Sequence, residues 1–199
     1  MQQSASGDNQ QATVSEAEKG WLAGIIDGEG SLHIDLDTKG GAHPYLNVTN
    51  TDRLIIEKVA DVWQRLGIGC RVSFRKGGEY DRNPKWNIPG DVMVIGYKRL
   101  KPALIAIMPY LVGKSDQALL MYTFVESRLA NFNNHSCNKD KQIKPEEMAI
   151  IKTLKDAKHH HRVLRDYMPN NQVVEDIVRA TRRRVEDVRN AHPRLIVDE

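Results

Sequence analysis

Three glycines spaced four residues apart constrain this chain more than any other feature. Gly20, Gly24 and Gly28 lie in a stretch that is otherwise suited to a helix, so they would form a stripe along one helical face. Each glycine costs about 1 kcal/mol relative to alanine in a helix interior. A stripe of this kind suits a helix whose backbone closely approaches another helix. Its other faces are apolar, and we expect them to anchor the helix in its own core through Trp21, Leu22, Ile25 and Ile26.

Two acidic residues lie at the predicted C-terminal end of this helix, on either side of Gly28. Asp27 and Glu29 stand directly before a strand-like alternation, in which apolar Leu32 and Ile34 alternate with polar residues. A helix with a glycine-rich end and two solvated acids is the simpler interpretation, but it leaves the glycine stripe unexplained. The pattern therefore predicts a close-packed helix that delivers an acid to the tip of a sheet.

The nine residues from Leu22 to Gly30, LAGIIDGEG, resemble the LAGLIDADG motif of homing endonucleases. Six positions are identical, Ile25 and Gly28 are conservative replacements, and Glu29 is a carboxylate in place of a carboxylate. The resemblance covers about residues 15–130. It implies an α+β fold, an αββαββα homing-endonuclease-like domain whose antiparallel sheet forms a saddle for DNA.

The rest of the chain fits this order of elements. Ser15 and Glu18 form a capping box that starts the first helix, and strand, turn and helix patterns follow in the order helix, two strands, helix, two strands. We predict a disordered tail over 1–13, a core domain over 14–131 with helices at 98–111 and 115–131, and a helical C-terminal extension of the same domain over 132–199. Helices are expected there at about 145–167 and 172–190.

The polar face of the predicted sheet is the expected DNA-binding surface. A half-solvated antiparallel sheet shows the same alternation without a ligand, but several of these side chains are types that read base edges in the major groove. Residues 71–101 also carry eight basic against three acidic side chains, which favours a polyanionic partner. The expected base-reading residues are Ser31, His33, Asp35, Asp37, Tyr45, Asn47, Arg71, Ser73, Arg75, Lys85 and Asn87. Basic side chains expected to contact DNA from loops and helix starts are Lys39, Arg53, Lys76 and Arg82.

Hydrolysis of a phosphodiester needs a nucleophilic water, a neutralised phosphate and a stabilised leaving oxygen, which divalent metals held by carboxylates supply. The resemblance assigns Glu29 as the ligand of Mg²⁺, with Mn²⁺ as the alternative, and the Gly28 carbonyl as a second ligand. It places Lys114 near the scissile phosphate, and it gives Asn50, Asp52 or Arg53 the role of holding an active-site water. Capping of a helix would also explain Asn50 and Asp52.

The motif occurs once in the chain, whereas a cleavage centre of this family takes one acid from each of two motif helices. The sequence therefore predicts a homodimer on a near-palindromic site. In that assembly, Asp27 is interpreted as structural rather than as a metal ligand. The residues expected at the dimer interface are Gly20, Ala23, Gly24, Asp27 and Gly28.

Other patterns exclude further classes of protein. No run of 18 apolar residues and no signal-peptide pattern is present, so we expect an intracellular protein with no membrane partner. Two cysteines give no disulfide framework. The histidines at 159–161, with His135 and Cys137, lack the spacing of a zinc site. The arginines at 182–184 suit a solvated face or phosphate contacts.

These observations predict a homodimeric, Mg²⁺-dependent, site-specific endonuclease for double-stranded DNA. By the resemblance it would leave short 3′ overhangs. Two alternatives use the same scaffold: a maturase that binds intron RNA, and a DNA-binding regulator that does not cut. The presence of Glu29 and Lys114 argues against the regulator but not against the maturase.

Overall fold

The computed structural model describes residues 13–75, 87–131 and 142–160. In these residues, helices and strands alternate in the order αββαββα, as predicted, and two further helices follow. The elements are α1 (Glu16–Glu29), β1 (Gly30–Leu36), β2 (Ala42–Asn50), α2 (Arg53–Arg65), β3 (Arg71–Phe74), β4 (Gly90–Ile95), α3 (Tyr97–Ile107), α4 (Ser115–Asn131) and α5 (Pro145–His160).

The four strands form one antiparallel sheet in the order β1-β2-β4-β3. Across it, Leu32 of β1 pairs with Leu46 of β2, which pairs with Val94 of β4. These three side chains are buried, so they define the core face of the sheet. The neighbouring positions along each strand must then point to the opposite face.

The helices cover the core face. Trp63 of α2, Leu104 of α3 and Phe124 of α4 are fully buried in the same hydrophobic cluster as the sheet residues. From α1, Leu22 and Ile26 join this cluster, as predicted. Trp21 does not, because its side chain is 36% exposed and lies beside the glycine stripe on the helical wheel. The expectation that Trp21 anchors the core is therefore wrong.

The capping box at Ser15 is present as predicted. The Ser15 side chain accepts a hydrogen bond from the Glu18 amide, and the Glu18 carboxylate accepts one from the Ser15 amide at 3.1 Å. The same carboxylate accepts from Lys58 at 2.9 Å and from Arg65, which ties α1 to α2.

Two predicted element boundaries differ from those in the structure. The helix expected over 98–111 ends at Ile107 and continues as a 3₁₀ turn, Met108–Tyr110, since Pro109 lacks the amide hydrogen that an α-helix requires. The last strand also starts later than expected: Asn87, predicted to lie on the polar face of the sheet, is in no strand, and β4 starts after Pro89. Pro89 cannot donate to a strand ladder.

Helix α5 is packed into the domain. Ile150, Ile151 and Leu154 are buried in the main core, and Glu147 forms a buried ion pair with Arg128 of α4 at 3.4 Å. Residues 1–12 of the tail predicted over 1–13 lie outside the described residues. So do residues 132–141 and 161–199 of the predicted C-terminal extension. None of the helices that the structure describes is long and apolar enough to cross a membrane.

Candidate active site and nucleic-acid interface

The end of α1 presents the predicted metal ligand. Glu29 is the last residue of α1 and is exposed, and β1 begins at the very next residue. A side chain on Gly30 would lie only 2.6 Å from the carbonyl oxygen of Ile26. The direct passage from helix to strand therefore requires glycine at position 30, and this passage places Glu29 at the tip of the sheet.

The Asp27 side chain binds the loop at residues 112–114 to the same end of α1. Its carboxylate accepts hydrogen bonds from the Val112 amide at 2.7 Å and from the Lys114 amide at 2.8 Å. The ammonium group of Lys114 in turn donates to the Asp27 carbonyl. Thus Asp27 satisfies backbone amides, and it does so in its own chain.

This loop holds Lys114 at the same end of α1, against Asp27. Burial lowers the pKa of the Lys114 ammonium, and the negative charges of Asp27 and Glu29 oppose that shift. The structure therefore brings together Asp27, Glu29 and Lys114, three of the residues singled out in the sequence. A cation near the acid is suited to a phosphate substrate.

Asn50, Asp52 and Arg53 make local contacts. Asp52 caps α2 by accepting from the Leu54 amide at 2.8 Å, and Asn50 accepts from the Asp52 amide at 2.8 Å. Arg53 pairs with Glu57 at 2.6 Å. The capping interpretation of Asn50 and Asp52 therefore accounts for their observed contacts, and a role in holding water stays a prediction.

The polar face of β1 and β2 carries the expected side chains in cross-strand pairs. Ser31 lies opposite Asn47, and His33 lies opposite Tyr45, with their rings stacked at a centroid distance of 4.9 Å. Burial raises the pKa of Tyr45, and the adjacent carboxylate of Asp35 adds to this rise. The part of the polar face formed by β1 and β2 is thus a surface of paired aromatic and polar side chains.

The Asp37 side chain accepts hydrogen bonds from backbone amides within the turn between β1 and β2. Its carboxylate accepts from the amides of Lys39 at 2.8 Å and Gly41 at 2.7 Å, and it contacts the His43 imidazole at 3.0 Å. The hydrogen bonds from His43 and then Gly41 lower the pKa of Asp37 to about 2. The structure therefore gives Asp37 a turn-forming role, and its base-reading role stays a prediction.

The other half of the polar face contains an acid that sequence reasoning missed. Asp91 of β4 lies between Thr49 of β2 and Ser73 of β3. Its carboxylate accepts from Thr49 at 2.6 Å and from Asn47 at 3.3 Å, and it lies 3.5 Å from Arg75. The sequence signal was the alternation of Asp91 with Met93, but that alternation does not show that β4 pairs with both β2 and β3. Other missed residues of this face are His43, Thr49, Met93 and Ile95.

The glycine stripe is uncovered in the protomer. A Cβ atom added to Gly20, Gly24 or Gly28 would meet nothing within 4 Å. The fold of one chain therefore does not require glycine at these positions. Ala23, expected at the same interface, is fully buried in its own core, so this residue has no surface to offer a partner and the expectation for it is wrong.

The remaining predicted positions divide into two groups. Lys39, Arg71 and Asn87 are exposed on the described surface. Lys76, Arg82, Lys85, His135, Cys137 and the arginines at 182–184 lie outside the described residues. Within the described ranges, no group of three or more histidine, cysteine, aspartate or glutamate side chains could hold a metal ion.

The sequence and the fold were compared with known proteins. Both comparisons point to proteins of this α+β architecture. Residues 16–99 match the model of the LAGLIDADG-like domain. The match includes α1, the whole sheet and the start of α3. No curated protein sequence matches the chain significantly.

Solved structures of homing endonucleases are similar to this chain, and one of them, I-CeuI, shares its fold. The group I intron-encoded homing endonuclease I-CeuI, solved with DNA, is 19% identical with a TM-score of 0.51, covering 84% of this chain and 78% of I-CeuI. The homing endonuclease I-CvuI, solved with a DNA target in the presence of Mg, is 22% identical with a TM-score of 0.49, covering 86% of this chain and 96% of I-CvuI.

Proposed function

We propose that this protein is a homodimeric, metal-dependent endonuclease that cuts double-stranded DNA at a specific site. The observation that carries the proposal is the position of Glu29. This acid is exposed at the end of the motif helix, where the Lys114 ammonium donates to the Asp27 carbonyl, and the sheet begins at the next residue. The arrangement joins a site for hydrolysis to a surface for binding. I-CeuI, which shares the fold, was solved in complex with DNA.

The donor set at this site fits a hard divalent cation such as Mg²⁺. Glu29 supplies a carboxylate that has no hydrogen bond within the described residues, and the Gly28 carbonyl is the proposed second ligand. Carboxylate and carbonyl oxygens are the ligands that Mg²⁺ prefers, and it retains several waters. When bound, the metal would supply an activated water and neutralise phosphate charge. The related I-CvuI was solved in the presence of Mg or of Ca.

The chain's own residues then have distinct tasks. Glu29 would orient the reacting phosphate by way of the bound ion. The Lys114 ammonium, held by Asp27, would stabilise negative charge that develops on the phosphate. Asp27 would act only through Lys114, because its two carboxylate oxygens accept the amides of residues 112 and 114.

The open glycine stripe supports the dimer. One protomer supplies a single available acid at the helix end, Glu29, because Asp27 is engaged by loop amides. Cutting two strands requires two such centres. A second copy packed along Gly20, Gly24 and Gly28 would bring its own Glu29 to the same region and would cover the exposed Trp21. Two-fold symmetry of the protein predicts a near-palindromic target, and short 3′ overhangs are part of the proposal.

Cleavage of a randomised duplex library in the presence of Mg²⁺ tests the proposed function. We expect double-strand cuts at one long sequence with two-fold related halves, and no cuts when the metal is chelated. Absence of cutting by the intact chain at any duplex would contradict the proposal. If the chain then bound structured intron RNA, the maturase would replace the endonuclease.

A further inference from the structure

An acidic side chain lies in the middle of the face that is proposed to meet DNA. Asp91 occupies the row of the sheet between Thr49 and Ser73, and only 14% of its side chain is exposed. A carboxylate at this place would repel the phosphate backbone unless its charge is balanced. The role of Asp91 therefore depends on the side chains that contact its carboxylate.

Both oxygens of the Asp91 carboxylate are engaged by side chains of the polar face. Oδ1 accepts from Thr49 Oγ1 at 2.6 Å and from Asn47 Nδ2 at 3.3 Å, whereas Oδ2 lies 3.5 Å from Arg75 Nε. The Arg75 side chain is 48% exposed, far more than its acidic partner. The carboxylate thus lies, largely buried, against a half-exposed guanidinium group.

The same contacts fix the orientation of Asn47. Its Nδ2 donates to Thr49 at 3.0 Å as well as to Asp91, so a flipped amide would place Oδ1 against the carboxylate. In the described structure, Asn47 Oδ1 is buried and has no hydrogen-bond partner. Buried acceptors are rarely left unpaired in native proteins, and a ligand that brings a donor to this oxygen would satisfy it.

We propose that Asp91 is a positioning residue for base recognition, which holds Arg75 for contact with a guanine and sets Asn47 as an acceptor for a base amino group. The inference rests on the proposed function and deepens it by naming the bases. A guanidinium group donates in fork geometry to O6 and N7 of guanine, and asparagine can contact adenine. The preferred duplex therefore has a guanine facing Arg75 in each half-site.

The test compares base preference at every position of the selected target for the intact chain and its variants. Asp91→Asn keeps an oxygen for Thr49 and Asn47 but removes the carboxylate charge beside Arg75. We expect the guanine preference at one position per half-site to fall on the order of tenfold, with a similar loss in Arg75→Ala. The double variant should be no worse than Arg75→Ala, because the two residues act as a unit.

Asp61→Asn is the control, since it removes one negative charge from the exposed surface of α2, which packs on the opposite face of the sheet. It should leave the guanine preference at the Arg75 position unchanged. A uniform change of affinity in Asp91→Asn, or a lower melting temperature with unchanged base preference, would show a merely structural role and overturn the inference. If Asp91→Asn does not fold, Arg75→Ala alone carries the test, because it removes the guanidinium group that would contact the guanine. Persistence of the guanine preference in that variant would overturn the inference.

Failure of the intact chain to bind or cut any duplex would overturn the proposed function and this inference together. Site-specific cutting by the intact chain with an unchanged preference in the variants would overturn the inference alone. The two failures are therefore distinguishable in one experiment.

Discussion

The carboxylate of Asp27 accepts a hydrogen bond from the backbone amide of Lys114 at 2.8 Å, joining two residues 87 positions apart in the chain. This contact places a lysine of the loop before α4 at the end of the motif helix. The geometry of the candidate active site therefore depends on a residue that touches neither metal nor phosphate in the proposed mechanism.

Replacing Asp27 tests this dependence. Asp27→Asn should leave one of the two loop amides without an acceptor, because the Asn amide group offers only one oxygen. We expect a loss of stability of about 1–3 kcal/mol and faster hydrogen exchange at the amides of residues 112 and 114. Asp61→Asn, on the exposed surface of α2, is the control and should change stability by less than about 1 kcal/mol. Unchanged exchange at these amides in Asp27→Asn would contradict the assigned role.

The glycine stripe predicts opposite effects on the protomer and on the dimer. Gly24→Ala should stabilise the isolated helix by up to about 1 kcal/mol, because nothing lies within 4 Å of the added Cβ atom. The same methyl group should weaken a close helix pairing, which sedimentation at several protein concentrations would detect as dissociation.

Gly30→Ala provides the contrast, since its Cβ atom would meet the Ile26 backbone at 2.6 Å. This variant should destabilise the protomer itself. A dimer of unchanged strength in Gly24→Ala would rule out the stripe as the interface.

Helix α5 is predicted to be part of the domain, held by the buried pair of Arg128 and Glu147. These side chains are only 7% and 2% exposed, and Glu147 also accepts from Ser127 at 2.8 Å. Glu147→Ala should cost about 3–5 kcal/mol, because it leaves the Arg128 charge buried without its partner. Urea unfolding measures this loss. The neighbouring Glu146 is exposed, and Glu146→Ala should change stability by about 0.5 kcal/mol or less; equal effects of the two variants would refute the packing of α5.

The turn at Asp37 predicts a pH dependence with a definite sign. Its pKa is about 2 in the folded protein, below the value of about 3.9 for an unfolded chain. The stabilisation from the ionised carboxylate is therefore complete above the unfolded pKa and is lost as the pH falls towards 2. The stability difference between the intact chain and Asp37→Asn should shrink over this range, as measured by unfolding at several pH values. A difference that is independent of pH would show that the carboxylate charge is not involved.

The features that the sequence predicted well depend on local signals. The capping box at Ser15 and the bounds of α4 are set by neighbouring residues, and the LAGLIDADG-like motif places Glu29 at the end of its helix. The residues of β1 and the core-facing Leu46 and Val48 follow the simple alternation of a half-buried strand.

The features that the sequence did not predict depend on contacts between distant segments. Asp91 joins the polar face only because β4 pairs with both β2 and β3, and no local pattern specifies that pairing. The hydrogen bonds of Asp27 to the 112–114 loop likewise arise from tertiary packing. Ala23 shows the converse, since a small residue in the motif can face the core of its own chain.

The single-turnover rate of cleavage by Glu29→Gln tests the central claim most directly. The measurement uses the duplex selected by the intact chain, in the presence of Mg²⁺, with Glu146→Gln as the matched control on the exposed surface of α5. Glutamine keeps the shape of the side chain but removes the charge that would hold the metal. We expect a loss on the order of a thousandfold, as for removal of a principal electrostatic contact, with unchanged DNA binding and no loss in the control. A rate within a few-fold of the intact chain would move the active site away from Glu29 and contradict the account.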